Sequence, residues 1–239
     1  MKKGIIFLIV VVLIFAGSCS SRTENEGQDG FLKTIMFADE RFYYNENELI
    51  DKAKFIVLGE VANISFEVLN CKILESPDDI PQYEFSTIYE INVIELYKGD
   101  YKKTIKVIQP GGIEGYKEKE QIELIKNKKE YLFDEDSIKE IGDNWSIPIY
   151  YGAPIMKEGE IYLLALNEYG YLLNSNQALY QYKSENPFEE KDSHSTLSMY
   201  SILTELNVWD SFWAQWQKDN PNWETWFDKN EVDKILAEK

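Results

Sequence analysis

The sequence predicts a mainly β fold: an antiparallel barrel with an inserted helical segment and a C-terminal α-helical appendage. Three observations predict it. Short β-rich runs recur between residues 55 and 182 with no long helices separating them, the pattern of an antiparallel sheet or barrel. A Glu- and Lys-rich stretch, 113–146, interrupts these runs. After residue 193 the apolar side chains change to helical spacing.

The elements follow in chain order. Residues 47–54 predict a short helix leading into the first strand, 55–61 (FIVLGEV), where Gly59 marks a bulge or a barrel bend. Residues 65–74 alternate loosely through Phe66, Val68, Leu69, Cys71 and Ile73, and 76–82 (SPDDIPQ) read as a loop. The clearest strand is 85–97. It places Tyr89, Ile91 and Val93 on one face and Ile88, Glu90, Asn92, Ile94 and Leu96 on the other. A strand this long bends round a barrel. Lys98-Gly99-Asp100 turns the chain, and 104–109 (TIKVIQ) returns antiparallel until Pro110-Gly111-Gly112. Within the insertion, 118–130 reads as helix; strands resume at 147–155, 160–167, 169–173 and 178–182. In the tail, Met199, Ile202, Leu206, Trp209, Trp213 and Trp216 follow one another at helical three-and-four spacing. Asn220-Pro221 breaks that helix, and a second is expected over 223–237.

The N-terminus reads as a processing signal. Lys2 and Lys3 precede an apolar run of 12 residues, 5–16. A membrane-spanning helix needs about 20, so the run reads as a signal-peptide core. Ala16, Gly17 and Ser18 then lead to Cys19. This order resembles the lipobox of bacterial lipoproteins. The resemblance implies acylation of the Cys19 thiol and cleavage before Cys19. The expected organisation is a signal peptide at 1–18, a lipidated Cys with a flexible tether at 19–33, a β-barrel domain at 47–185 with its insertion at 113–146, and Trp-rich helices at 193–239. Cleavage removes two lysines, so the formal charge falls from −17 to −19.

The order of the strands carries a second resemblance. It rests on 53–61, on Tyr89 to Val93 leading to Leu96-Tyr97-Lys98-Gly99, on Gln109-Pro110-Gly111-Gly112, and on Gly159 with 162–166. Together these resemble poorly characterised extracytoplasmic bacterial proteins with an OB-like barrel, similar in shape to the tissue inhibitors of metalloproteinases. Those inhibitors chelate a protease zinc through a free N-terminal Cys. A lipidated Cys19 held at a membrane does not serve that mechanism.

Composition narrows the function. The excess of acid, 42 Asp+Glu against 25 Lys+Arg, argues against nucleic acid as a partner. One His, His194, leaves no His-based zinc site, and two cysteines cannot make a disulfide scaffold. Five of the six tryptophans, Trp209, Trp213, Trp216, Trp223 and Trp226, form the candidate interaction surface. The stronger expectation for them is packing against the barrel, since each large aromatic buries roughly 150–250 Å². Carboxylates cluster at Asp78-Asp79, at Asp134-Glu135-Asp136, and at Glu189-Glu190 with Asp192, but none matches a calcium-loop pattern. Cys71 reads as a buried thiol, and Gly111-Gly112 lacks the Lys of a phosphate loop. The expected protein is a non-enzymatic binding or interaction module with no cofactor and no metal. It is lipid-anchored on the extracytoplasmic face of a cell membrane, its partners being the membrane and an envelope protein. The alternatives are an envelope hydrolase using carboxylates, and an assembly component using the Trp-rich helices.

Overall fold

The computed structural model describes residues 22–24, 32–36, 43–70, 83–100, 102–150, 154–174, 177–183, 186–190 and 197–237; at 22–24 and 32–36 it describes the backbone and the side chain of Thr34. Helix α1 (Glu46–Lys52) starts where the Asn45 side chain accepts the Glu48 N–H at 2.9 Å. It delivers the chain to β3 (Phe55–Asn70), which pairs antiparallel with β4 (Tyr83–Lys98); β5 (Thr104–Pro110) returns along β4. Strands β7 (Ile161–Leu166) and β8 (Leu179–Gln181) extend the sheet from the other edge of β3.

The two expected strands at 55–61 and 65–74 are thus one long strand. Register shifts at Leu58/Gly59 and Val61/Asn63 bend it without interrupting pairing. The main sheet has the order β5-β4-β3-β7-β8, and no strand ladder joins β8 to β5 to close it into a barrel. Its last strand is only three residues long, and Lys183, two residues beyond, takes a positive φ of 73°. The expected strand at 169–173 is reduced to two bridges, Tyr171 parallel to Ile108 and Leu172 antiparallel to Leu166.

A second sheet joins distant chain segments. Strands β1 (Arg22–Glu24) and β2 (Leu32–Met36) pair antiparallel, and β2 runs parallel to β6 (Ser146–Tyr150). Thr34 Oγ1 lies 2.7 Å from Ser146 Oγ across that pair. The described backbone is therefore strand where the sequence reading expected a free tether.

Strands and helices contribute about equally, so "mainly β" is corrected to a mixed fold. The reason lies in how the helices cover the sheet. The insertion forms α2 (Glu118–Asn127), α3 (Lys129–Leu132) and α4 (Glu135–Ile141). Ile122 and Ile125 of α2 join Val57, Val61, Tyr89, Ile91, Val107, Leu164 and Ile147 in one core. The tail forms α5 (Met199–Glu205), α6 (Trp209–Asp219), a single 3₁₀ turn (Trp223–Thr225) and α7 (Lys229–Ala237). It is no appendage: Ile202, Leu203, Trp209 and Trp216 share a second core with Ile56, Leu58, Leu163, Ala165 and Tyr180. The helix expected to run unbroken to Trp216 is split at Asn207, whose φ of 57° is the left-handed conformation that Asn tolerates.

Gly59 shows how tightly the long strands cross. A Cβ there would lie 2.3 Å from Ile91 Cγ2 and 2.9 Å from the Asn92 carbonyl oxygen. A Gly59→Ala chain is expected to lose about 1–3 kcal/mol of unfolding free energy. The denaturant midpoint at unchanged slope measures this, and a stability equal to that of the parent chain contradicts the crowded crossing.

Candidate functional site

Helix α6 places Trp209, Trp213 and Trp216 on one face by the three-and-four rule. Their rings stack in series, 5.4 Å and 16° between the first two, 5.1 Å and 11° between the second pair. Phe188 stands edge-on to both Trp209 and Trp213. Trp223 meets Trp213 edge-on at 5.2 Å, and Trp226 approaches Trp216 at 6.3 Å. Trp209, Trp213 and Trp216 are 2%, 9% and 0% exposed, whereas Trp226 is 53% exposed. Trp223 is half-buried. The five-Trp interaction surface is thus corrected: three of its members are core, because the outer face of β3 and β7 needs a cover and α6 supplies it. Offset-stacked and edge-on aromatic pairs add about 0.5–1.5 kcal/mol each beyond their buried area.

A polar clasp fastens the helices to the sheet. Tyr182, just after β8, donates its hydroxyl to Asp219 Oδ2 at 2.7 Å, and Gln215 donates to Oδ1 at 3.0 Å. These donors hold the Asp219 carboxyl below its ordinary range, the Tyr182 hydroxyl being the larger cause. Burial, and then the same bond, raises the Tyr182 hydroxyl. The single Tyr180 hydroxyl proton is shared between the carbonyls of Gln177 and Leu197, at 3.0 and 3.2 Å.

A side-chain network not anticipated from sequence lies at the turn before β7. Tyr162 and Gln181 both donate to Glu160 Oε2, at 2.7 and 2.6 Å. Glu158 Oε1 accepts from the Tyr116 hydroxyl at 3.0 Å and from the Ile64 N–H at 3.2 Å. Strand β7 pairs with β3 only as far as Glu60. Beyond that point the Glu158 carboxylate takes the place of a neighbouring strand's carbonyl, so this network closes an edge. Three of its four partners, Ile64, Tyr116 and Gln181, lie 94, 42 and 21 residues from the carboxylates they bind, a separation invisible to motif reading.

The remaining predicted residues fall as follows. Cys19, Cys71, Asp78, Asp79, Asp192 and His194 lie outside the described residues. Asp134 caps α4 by accepting the Ser137 N–H at 2.7 Å, and Asp136 pairs with Lys139 at 3.0 Å. Glu189 and Glu190 are exposed. Among the described residues no group of three or more His, Cys, Asp or Glu is placed to hold a metal ion. Gly111 and Gly112 cross β6 closely, the Gly112 N–H donating to the Pro148 carbonyl at 2.8 Å. The Gln121 side chain both accepts from and donates to the Ile113 backbone beside them, at 3.1 and 2.8 Å. No protein-family model matches the chain, and no curated protein matches it.

The clasp has a pH signature. Because Asp219 has a lower pKa folded than unfolded, its stabilisation is present above the ordinary carboxylate range and is lost as pH falls through the folded value. Tyr182→Phe should raise the Asp219 carboxyl pKa, read by carbon NMR, and cost about 1 kcal/mol at neutral pH, given the exposure of Asp219. The cost should shrink in acid. An unmoved carboxyl titration contradicts the clasp.

Proposed function

We propose that this chain is a membrane-anchored extracytoplasmic lipoprotein whose folded part is a non-enzymatic binding module. The observation that carries the reading is the order Lys2-Lys3, apolar run 5–16, Ala16-Gly17-Ser18, Cys19. Cys is required there because its thiolate is the nucleophile that takes the lipid. Two or more acyl chains make such an anchor stable, where one is marginal. Among the described residues no helix is long and apolar enough to cross a membrane. The module reading rests on how the sheet is used. Side-chain cores fill both faces at residues 55–59 and 162–166, so chemistry available to a partner is left to edges, turns, outer helix surfaces and the exposed part of β3 and β4 around Glu60, Ala62, Asn92 and Ile94.

Mass spectrometry of the mature N-terminus tests the anchor. The expected result is a chain beginning at diacylated Cys19, and Cys19→Ala should move the protein from the membrane to the soluble fraction. A mature chain starting elsewhere, or an unmodified Cys19, refutes it.

The finer reading of the fold is an OB-like barrel. It is supported by the contact between the outer edge of β5 and the chain just after β7: the Ile108 N–H donates to the Gly170 carbonyl at 2.9 Å, beside the parallel bridge from Ile108 to Tyr171. A closed barrel predicts slow hydrogen exchange at the Ile108 amide, comparable with amides inside β3. Exchange at the rate of an exposed edge contradicts closure.

A further inference from the structure

Only two residues separate Cys19 from β1, which begins at Arg22. Three extended residues span at most about 11 Å. An acyl group on Cys19 therefore holds this sheet close to the bilayer, with no long tether between them. The register then says which end of the molecule is held. Arg22 lies opposite Ile35, and Ile35 opposite Ile149, so the lipid attaches at the Tyr150 end of β6. The Tyr150 hydroxyl donates to Glu84 Oε1 at 3.0 Å. The adjacent Tyr83 meets Tyr131 of α3 edge-on at 4.8 Å.

That corner carries three closely spaced lysines, flanked along the chain by Glu123 and by Asp134-Glu135-Asp136. Lys126, Lys128 and Lys129 cluster at the junction of α2 and α3, with Glu130 the one acid in 126–131, inside a chain of formal charge −17. Lys126 and Lys128 are exposed and Lys129 is half-buried. Tyr131 is 51% exposed, and the Lys128 ammonium lies 5.6 Å from its ring centre. Amphipathic rings flanked by lysines suit a headgroup layer, the ring at the interface and the ammonium toward phosphate.

We propose that the corner formed by Lys126, Lys128, Lys129, Tyr131 and Tyr83 lies on the headgroups of an anionic bilayer and fixes the orientation of the domain on its membrane. The proposal rests on the lipid-anchor reading. Each lysine near an anionic surface gains about 1 kcal/mol. The surplus of carboxylates elsewhere is repelled by the same surface, which disfavours other orientations.

The test uses the full acylated protein inserted into preformed vesicles of phosphatidylcholine, with or without phosphatidylglycerol. Lysine acetylation is footprinted by mass spectrometry. Lys126 and Lys128 should react about 5-fold more slowly on the anionic vesicles, the factor equivalent to ~1 kcal/mol per lysine. Lys139, Lys157 and Lys229 should react equally on both. In the triple variant Lys126→Glu, Lys128→Glu, Lys129→Glu, the protein should still float with vesicles while Tyr131 nitrates as fast as in detergent. A floating, acylated parent protein whose Lys126 and Lys128 react alike on both vesicles overturns the docking and leaves the anchor standing. Protection that persists in detergent also overturns the docking, because it reports a contact within the protein. An unacylated Cys19 overturns both readings.

Discussion

Residues 55–59 of β3 and 162–166 of β7 have no solvent face. Phe55 and Val57 point into one core while Ile56 and Leu58 point into the other; Tyr162, Leu164 and Leu166 oppose Leu163 and Ala165 in the same way. At about 25 cal/mol per Å² of apolar surface, neither face can be left wet without a large penalty. Each therefore demands a cover, and the two helical segments are those covers. The insertion plugs one side and the tail roofs the other. A sheet buried on both faces transmits a cavity made in either core to the strands they share.

Such a centre leaves its loops to be satisfied locally, and buried amides do this. Gln121 holds the 113–116 turn against α2, and Gln177 both accepts from and donates to the Tyr43 backbone at the entrance to α1, at 2.8 and 2.7 Å. Asn220 donates its side-chain amide to the Trp216 carbonyl at 2.8 Å and so finishes α6. A buried amide that lost its partner would cost about 1–3 kcal/mol. These side chains thus fix where each segment enters and leaves the cores.

Much of this was legible in the sequence. Alternation separated Tyr89 and Ile91, which are buried, from Glu90, Asn92 and Ile94, which are exposed, but Ile88, assigned to the second face, is buried because both faces of β4 are covered over 85–89. Gly59 was marked as a bend and is one. The three-and-four spacing of the tail found its buried stripe, and the packing expectation for the tryptophans holds for Trp209, Trp213 and Trp216. What escaped was non-local. Nothing near residues 32–36 announces a partner at 146–150, since parallel pairing leaves no turn signal. The unbroken apolar runs 55–58 and 162–166 did carry a sign of two-sided burial, because a strand with one wet face alternates. The split at Asn207 depends on a single left-handed residue, which periodicity smooths over. The lysines at 126–129 read as ordinary insertion composition; the ladder and the Tyr83–Tyr131 contact relate them to the end of β6 that lies level with Arg22.

The roof of the outer core is made last. Strand β7 ends at Leu166 and the tryptophans of α6 begin at Trp209, so the sheet's outer face waits for 43 further residues to be synthesised. A chain that has β7 but not α6 leaves Ile56, Leu58, Leu163 and Ala165 without the tryptophan cover they have in the folded protein. A message truncated before α6 would leave that face permanently bare. Loss of the C-terminal tryptophans therefore exposes the kind of apolar surface on which chaperones and proteases act.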